Sequence, residues 1–95
     1  MTNQSGAAVD VDEQRWPKIT IYTTSWCGDC RASKRFMTLH GIPFTEFDIE
    51  ETPEMAEVVV ELNNGRRSVP TIVIEDGPTL VEPSDRELGQ ALGVV

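Results

Sequence analysis

The sequence predicts an α/β domain whose four-stranded mixed sheet is flanked by three helices. Three observations predict it. Runs rich in β-branched residues alternate with segments of helical spacing, in the order strand, helix, strand, helix, strand, strand, helix. The last two strand-like runs are separated by Glu75-Asp76-Gly77-Pro78, a turn short enough for a hairpin but not for a crossover. The chain has 95 residues, enough for one modest core and not for two.

The first strand covers Lys18 to Thr23, centred on Ile19-Thr20-Ile21-Tyr22. It begins at or just after Pro17, which has no N–H for a central ladder, and Trp16 is expected to cover an edge. Cys30 to His40 reads as a helix, with Ser33, Phe36, Met37 and His40 on one face and Arg31, Lys34 and Arg35 outward. Gly41 fits the position that ends it, and Pro43 bars continuation. His40 reads as a helix-end residue rather than a ligand or base. Phe44 to Ile49 is the second strand.

Thr52 and Pro53 fit the cap and first turn of a helix running to about Asn63, and Glu54 suits its positive end. Met55, Ala56, Val59, Val60 and Leu62 form its apolar stripe. Its valines have low helix propensity, so packing must hold it. Asn63-Asn64-Gly65 ends it, with Gly65 expected at positive φ. Val69 to Ile74 is the third strand with Pro70 at its start, and Thr79-Leu80-Val81 the fourth. Ser84 and Glu87 form a capping box for a last helix that buries Leu88, Ala91 and Leu92, while Gly89 and Gly93 weaken it. A right-handed crossover makes the early strands parallel, and the last two pair antiparallel.

Residues 1–15 are expected to form a disordered acidic tail ahead of a domain at 16–95. The tail lacks the basic start and apolar centre of a secretory signal. No apolar run approaches the roughly 20 residues that a membrane helix needs. A cytoplasmic monomer is the expectation. Sixteen acids against eight bases give a net charge of -8, which argues against nucleic-acid partners held by phosphate contacts. Six acids lie between Glu46 and Glu57, whereas Arg31, Lys34 and Arg35 follow the cysteines and Arg66 and Arg67 precede Pro70.

Cys27 and Cys30 are the only cysteines, spaced Cys-x-x-Cys between a strand and a helix. In a reducing compartment that pattern suits a redox pair, half a zinc site or inert thiols. Structural zinc wants four ligands, and the other soft donor is the single His40, which favours the redox reading and no metal. A helix start favours thiolate, so Cys27 is expected as the exposed nucleophile and Cys30, a turn deeper, as the resolving thiol.

Thr-Thr-Ser-Trp-Cys-Gly-Asp-Cys at 23–30 and Ser-Val-Pro-Thr at 68–71, in this order of elements, resemble the glutaredoxin branch of the thioredoxin superfamily. Over residues 18–93 the likeness is to actinobacterial mycoredoxins and mycoredoxin-like proteins. It rests on Tyr22 to Cys27, on Asn63 to Thr71 and on Glu82-Pro83-Ser84. The resemblance implies a glutaredoxin fold and a thiol-disulfide oxidoreductase in which Cys27 attacks mixed disulfides and Cys30 resolves them. It also implies that Pro70 is cis, that the Val69 backbone pairs with bound substrate, and that Arg67 contacts it, with Thr24, Trp26 and Ser84 on the rim.

The chain departs from usual glutaredoxins by Gly28-Asp29 between the cysteines, by lacking a lysine just before them, and by Glu82-Pro83-Ser84-Asp85 late in the chain. Gly28 is expected to loosen the active-site loop. Asp29 is expected to oppose thiolate formation on Cys27 or to influence partner choice. These departures argue against glutathione, and the mycoredoxin likeness implies mycothiol as co-substrate, with no tightly bound cofactor and mixed-disulfide proteins as partners. Two alternatives stay open. One is an NrdH-type or thioredoxin-like dithiol carrier reduced by a flavoprotein reductase. The other is a thiol-dependent binding protein, or a dimer bridging an iron-sulfur cluster.

Overall fold

The computed structural model describes residues 16–94; the expected tail at 1–15 lies outside the described residues. Seven elements follow one another: β1 (Ile19–Thr23), α1 (Gly28–Leu39), β2 (Thr45–Asp48), α2 (Pro53–Leu62), β3 (Thr71–Ile74), β4 (Thr79–Val81) and α3 (Asp85–Leu92). The sheet order is β2-β1-β3-β4, with β1 parallel to β2 and antiparallel to β3, and β3 antiparallel to β4. This is the four-stranded mixed sheet with three helices of the thioredoxin and glutaredoxin architecture.

Strand alternation sorts the core into two layers, because successive side chains point to opposite faces. Ile19 and Ile21 of β1 and Ile72 and Ile74 of β3 face Met37 of α1 and Leu88 and Leu92 of α3. Tyr22 belongs to the other layer, where Ile49 and Val59 are buried and Val73, Val69 and Met55 pack against them. Thus α1 and α3 cover one face and α2 the other. Ile21, Met37, Val59, Ile72 and Leu88 have no exposed surface. Truncating a fully buried Ile, Leu or Met to Ala costs about 2–5 kcal/mol.

Helix ends follow the sequence signals with two changes. Gly41 at φ 68° closes α1: its N–H donates to the Thr38 carbonyl at 3.1 Å and that of Ile42 to the Met37 carbonyl at 2.8 Å. At the end of α2, Asn64 takes the first left-handed conformation, at φ 56°, and the Gly65 N–H donates to Val60 O at 2.8 Å. Gly65 is also at positive φ, but the capping position falls one residue earlier than expected because asparagine tolerates it. Thr52 holds the N-cap position of α2 without a side-chain capping bond. The chain turn ahead of it is held instead by Asp48, whose Oδ1 accepts from the Glu50 N–H at 2.8 Å.

Two apolar stripes are narrower than their spacing suggests. His40 is exposed and packs its ring on Phe36, with centroids 4.4 Å apart, rather than entering the core. Leu62 of α2 is 41% exposed, because the helix unwinds into the loop that carries the chain back towards the active-site end of the sheet.

Candidate active site

The site forms at the C-terminal end of β1, where the chain turns from the sheet into α1. Thr23, the last β1 residue, donates from its hydroxyl to Glu46 Oε2 at 2.7 Å, and Lys34 of α1 donates to the same oxygen at 2.8 Å. Glu46 therefore ties β1, β2 and α1 together beneath the loop. Partial burial pushes its carboxyl up, but the bonds from Lys34 and Thr23 outweigh this and hold it below the usual carboxylate value. Within the loop the Cys27 N–H donates to the Thr24 carbonyl at 3.4 Å, and Arg31 Nη1 donates to the Ser25 carbonyl at 3.2 Å.

Cys27 is itself the N-cap of α1. Its backbone is extended, at φ -91° and ψ 110°, and its sulfur accepts the Cys30 N–H at 3.0 Å. The sequence reading starts this helix at Cys30; it starts at Gly28, because a sulfur replaces the usual oxygen acceptor and caps the turn between the cysteines. Gly28 thus sits in the first helical turn rather than in a loose loop. Its position is open, with nothing within 4 Å of where a Cβ would stand.

Two contacts surround the Cys27 sulfur. The Cys30 N–H and the positive end of α1 stabilise a sulfur anion. The Val69 carbonyl, 3.8 Å from Sγ, accepts a bond only from the protonated thiol. Ionisation therefore keeps the first contact and releases the second, freeing the Val69 carbonyl. The Val69-Pro70 peptide is cis. The loop before it is pinned by Thr71, whose hydroxyl accepts from Asn63 Nδ2 at 2.9 Å and donates to the Ser68 carbonyl at 2.8 Å.

Cys27 is 7% exposed and Cys30 1%. The expected order of burial holds, but Cys27 is not the freely exposed sulfur anticipated; it is reached through a cleft. Burial pushes the Cys30 thiol up to about 12, reinforced by its hydrogen bond with Cys27. Cys30 is consequently a neutral thiol at physiological pH.

An open cleft of about 480 Å³ lies over Cys27, bordered by Trp26, Asp29, Arg67, Val69 and Glu82 among others. Four of the residues singled out from the sequence therefore meet around one space: Cys27, Trp26, Arg67 and Val69. Trp26 is 67% exposed, and its indole N–H donates to Glu50 Oε2 at 3.2 Å, so the ring stands at the rim. Pro70 and Thr24 are buried behind the cleft, and the Thr24 hydroxyl makes no hydrogen bond.

Ser84 does not border the cleft. Its hydroxyl accepts from the Glu87 N–H at 3.1 Å and its own N–H donates to Glu87 Oε1 at 2.8 Å, so it is engaged in capping α3. Glu82 stands at the cleft instead. Asn63, Thr71, Glu50 and Glu82 were not legible as site residues, since each reaches the site only through tertiary contact. Among the described residues no three His, Cys, Asp or Glu side chains group as metal ligands.

A sulfur that caps a helix, a buried second thiol one turn on, and a backbone carbonyl against the first sulfur suit thiol-disulfide exchange on a thioredoxin fold. The glutaredoxin family model matches residues 19–77, and the chain belongs to that family. A Mycobacterium tuberculosis relative carrying the glutaredoxin name is 47% identical over 70 residues, covering 74% of this chain and 83% of the relative. Mycoredoxin 1 of Corynebacterium glutamicum is 34% identical over 70 residues, covering 74% and 86%. The structure of the glutaredoxin-like NrdH-redoxin from Escherichia coli, described as having a thioredoxin-like activity profile, superimposes with a TM-score of 0.66 at 29% identity. That match covers 77% of this chain and 92% of the other. The chain is a glutaredoxin-like thiol-disulfide oxidoreductase with a redox-active cysteine pair. No helix among the described residues is long and apolar enough to cross a membrane.

Proposed function

We propose that the protein is a dithiol electron carrier of the NrdH or thioredoxin-like kind, reduced by a flavoprotein disulfide reductase and passing its electrons to protein disulfides. The observation that carries this reading is the placement of Cys30. It is a neutral thiol, bonded to Cys27 through its N–H and buried where bulk thiols do not compete with it. Cys27 as thiolate attacks one sulfur of the client disulfide, and the other client sulfur leaves and takes a proton. Cys30 then loses its proton and attacks the Cys27 sulfur, releasing the second client thiol and leaving a Cys27-Cys30 disulfide, oxidised by two electrons. During the first attack, the Val69 carbonyl released by Cys27 is free to accept a backbone N–H of the client, and Trp26 and Arg67 border the same space. Likeness to NrdH proteins supports the reading: the Escherichia coli protein is 36% identical over 59 residues.

A second reading has its own support. The likeness to mycoredoxin 1 favours reduction of protein mixed disulfides with a low-molecular-weight thiol, mycothiol, as co-substrate. Both readings expect protein partners and a reducing cytoplasm. One experiment separates them: reduction of a disulfide-bonded protein is followed with NADPH and thioredoxin reductase, and in parallel with NADPH, mycothiol and mycothiol disulfide reductase. The dithiol reading expects turnover with the first couple that is lost in Cys30→Ser. Turnover with the mycothiol couple alone would overturn it.

A further inference from the structure

Three charged side chains border the cleft over Cys27. Asp29 comes from the first turn of α1, Glu82 from just after β4, and Arg67 from the loop ahead of the cis peptide. Among the described residues none of the three makes an ion pair. Two carboxylate residues and one arginine thus border the cleft over Cys27, with a third carboxylate, Glu50, at the Trp26 rim.

Asp29 suits the positive end of α1, but its place beside the reactive pair and the backbone of Glu82 each carry a cost. Asp29 stands next to a sulfur that must carry negative charge, which its carboxylate opposes. Glu82 sits at φ 49°, in the left-handed region that suits glycine or asparagine and disfavours a longer side chain. Its backbone is pinned there, the N–H donating to the Pro70 carbonyl at 2.9 Å. Arg67 alone offers a carboxylate a partner, and it is outnumbered.

We propose that Asp29 and Glu82 form a charge filter on the disulfide that Cys27 attacks. They favour substrates with a cationic group beside the reacting sulfur, accept neutral ones, and disfavour substrates with a carboxylate there. The filter deepens the function proposed above and rests on one part of it, Cys27 as the attacking sulfur. It acts on the first exchange step, in which the Cys27-substrate S–S bond forms, the substrate S–S bond breaks and the departing thiolate takes a proton.

Three small symmetrical disulfides of similar size test it: cystamine, bis(2-hydroxyethyl) disulfide and 3,3′-dithiodipropionate, which are cationic, neutral and anionic. Their rate constants with the reduced protein are read from stopped-flow tryptophan fluorescence and divided by those of dithiothreitol under the same conditions. At low salt the normalised preference for cystamine over dithiodipropionate is expected to be about tenfold or more, shrinking in 1 M NaCl. Asp29→Asn and Glu82→Gln should each lower it several-fold, and together they should abolish it.

The paired substitution Glu75→Gln and Asp76→Asn removes the same charge from the turn at the opposite end of the sheet and should leave the preference in place. An unchanged preference in the Asp29→Asn, Glu82→Gln protein would overturn the filter, as would an equal loss in the Glu75→Gln, Asp76→Asn control. Exchange that persists in Cys27→Ser would overturn the reading beneath it as well, so the two failures are distinguishable.

Discussion

The starts of α1 and α3 do the same structural job with different atoms. At α3 the Ser84 hydroxyl accepts the N–H three residues on, at 3.1 Å, and the Glu87 carboxylate returns the bond to the Ser84 N–H at 2.8 Å. At α1 the Cys27 sulfur accepts the Cys30 N–H at 3.0 Å, but the residue three on is a cysteine and has no carboxylate to return the bond. One box is closed on both sides and inert. The other is left open, and its acceptor faces a cleft. A capping site becomes a reactive site when the acceptor is a nucleophile and its reciprocal partner is withheld.

The largest effect expected from this contrast is on exchange. Cys27→Ser keeps a capping oxygen and removes the nucleophile, so disulfide reduction should fall by about a thousandfold or more while helix capping survives. Its denaturant midpoint should stay close to that of the parent. Full activity, or unfolding, would break the claim that cap and nucleophile are one atom. Cys30→Ser should accumulate as a stable mixed disulfide with client protein, visible by mass spectrometry, because nothing remains to release Cys27.

Stability effects come next. Ser84→Ala should cost about 1 kcal/mol in urea unfolding and leave exchange rates unaltered, the reverse of Cys27→Ser. A large loss of exchange would place Ser84 at the reaction after all.

Alkaline pH separates the two thiols further. The Cys30 thiol is raised from the ordinary 9.0 to about 12 by burial and by its bond with Cys27, so the unfolded chain gives up this proton first. Its contribution to stability is complete below pH 9 and is lost as pH rises through that window towards 12. Urea midpoints of the reduced protein should fall over that range more steeply than those of Cys30→Ser. Parallel curves would sink this assignment.

The smallest effect is at Glu46, which is partly exposed. Glu46→Gln should cost about 0.5 kcal/mol. Because its carboxyl is held below the usual value, its contribution is present above the ordinary carboxylate range and is lost as pH falls through the folded-state value.

Much of this was legible in the residues. Cys27 and Cys30 stood out through spacing and position, Gly41 and Ser84 through capping chemistry, and the hairpin through its four-residue turn. The misplacement of the α1 start has one cause: cysteine is not counted among capping residues, yet its sulfur fills the role. The family resemblance alone places Ser84 on the rim, through Glu82-Pro83-Ser84, whereas its own capping-box chemistry assigns it to α3. A hydroxyl already committed to a helix cap is not free to meet a substrate.

By itself the sequence determined the order of elements, the hairpin, the caps at Gly41 and Ser84 and the identity of the reactive pair. Each of these depends on residues within a few positions of one another, where periodicity and capping act. Tertiary structure decided the rest: the carbonyl of Val69 against Cys27, the Thr71 bonds that hold its loop, the depth of Cys30, and the meeting of Asp29, Arg67 and Glu82 over one sulfur. Those residues lie up to several dozen positions apart. Only the closing of the β2-β1-β3-β4 sheet brings them together, and burial and charge have no definite value until it does.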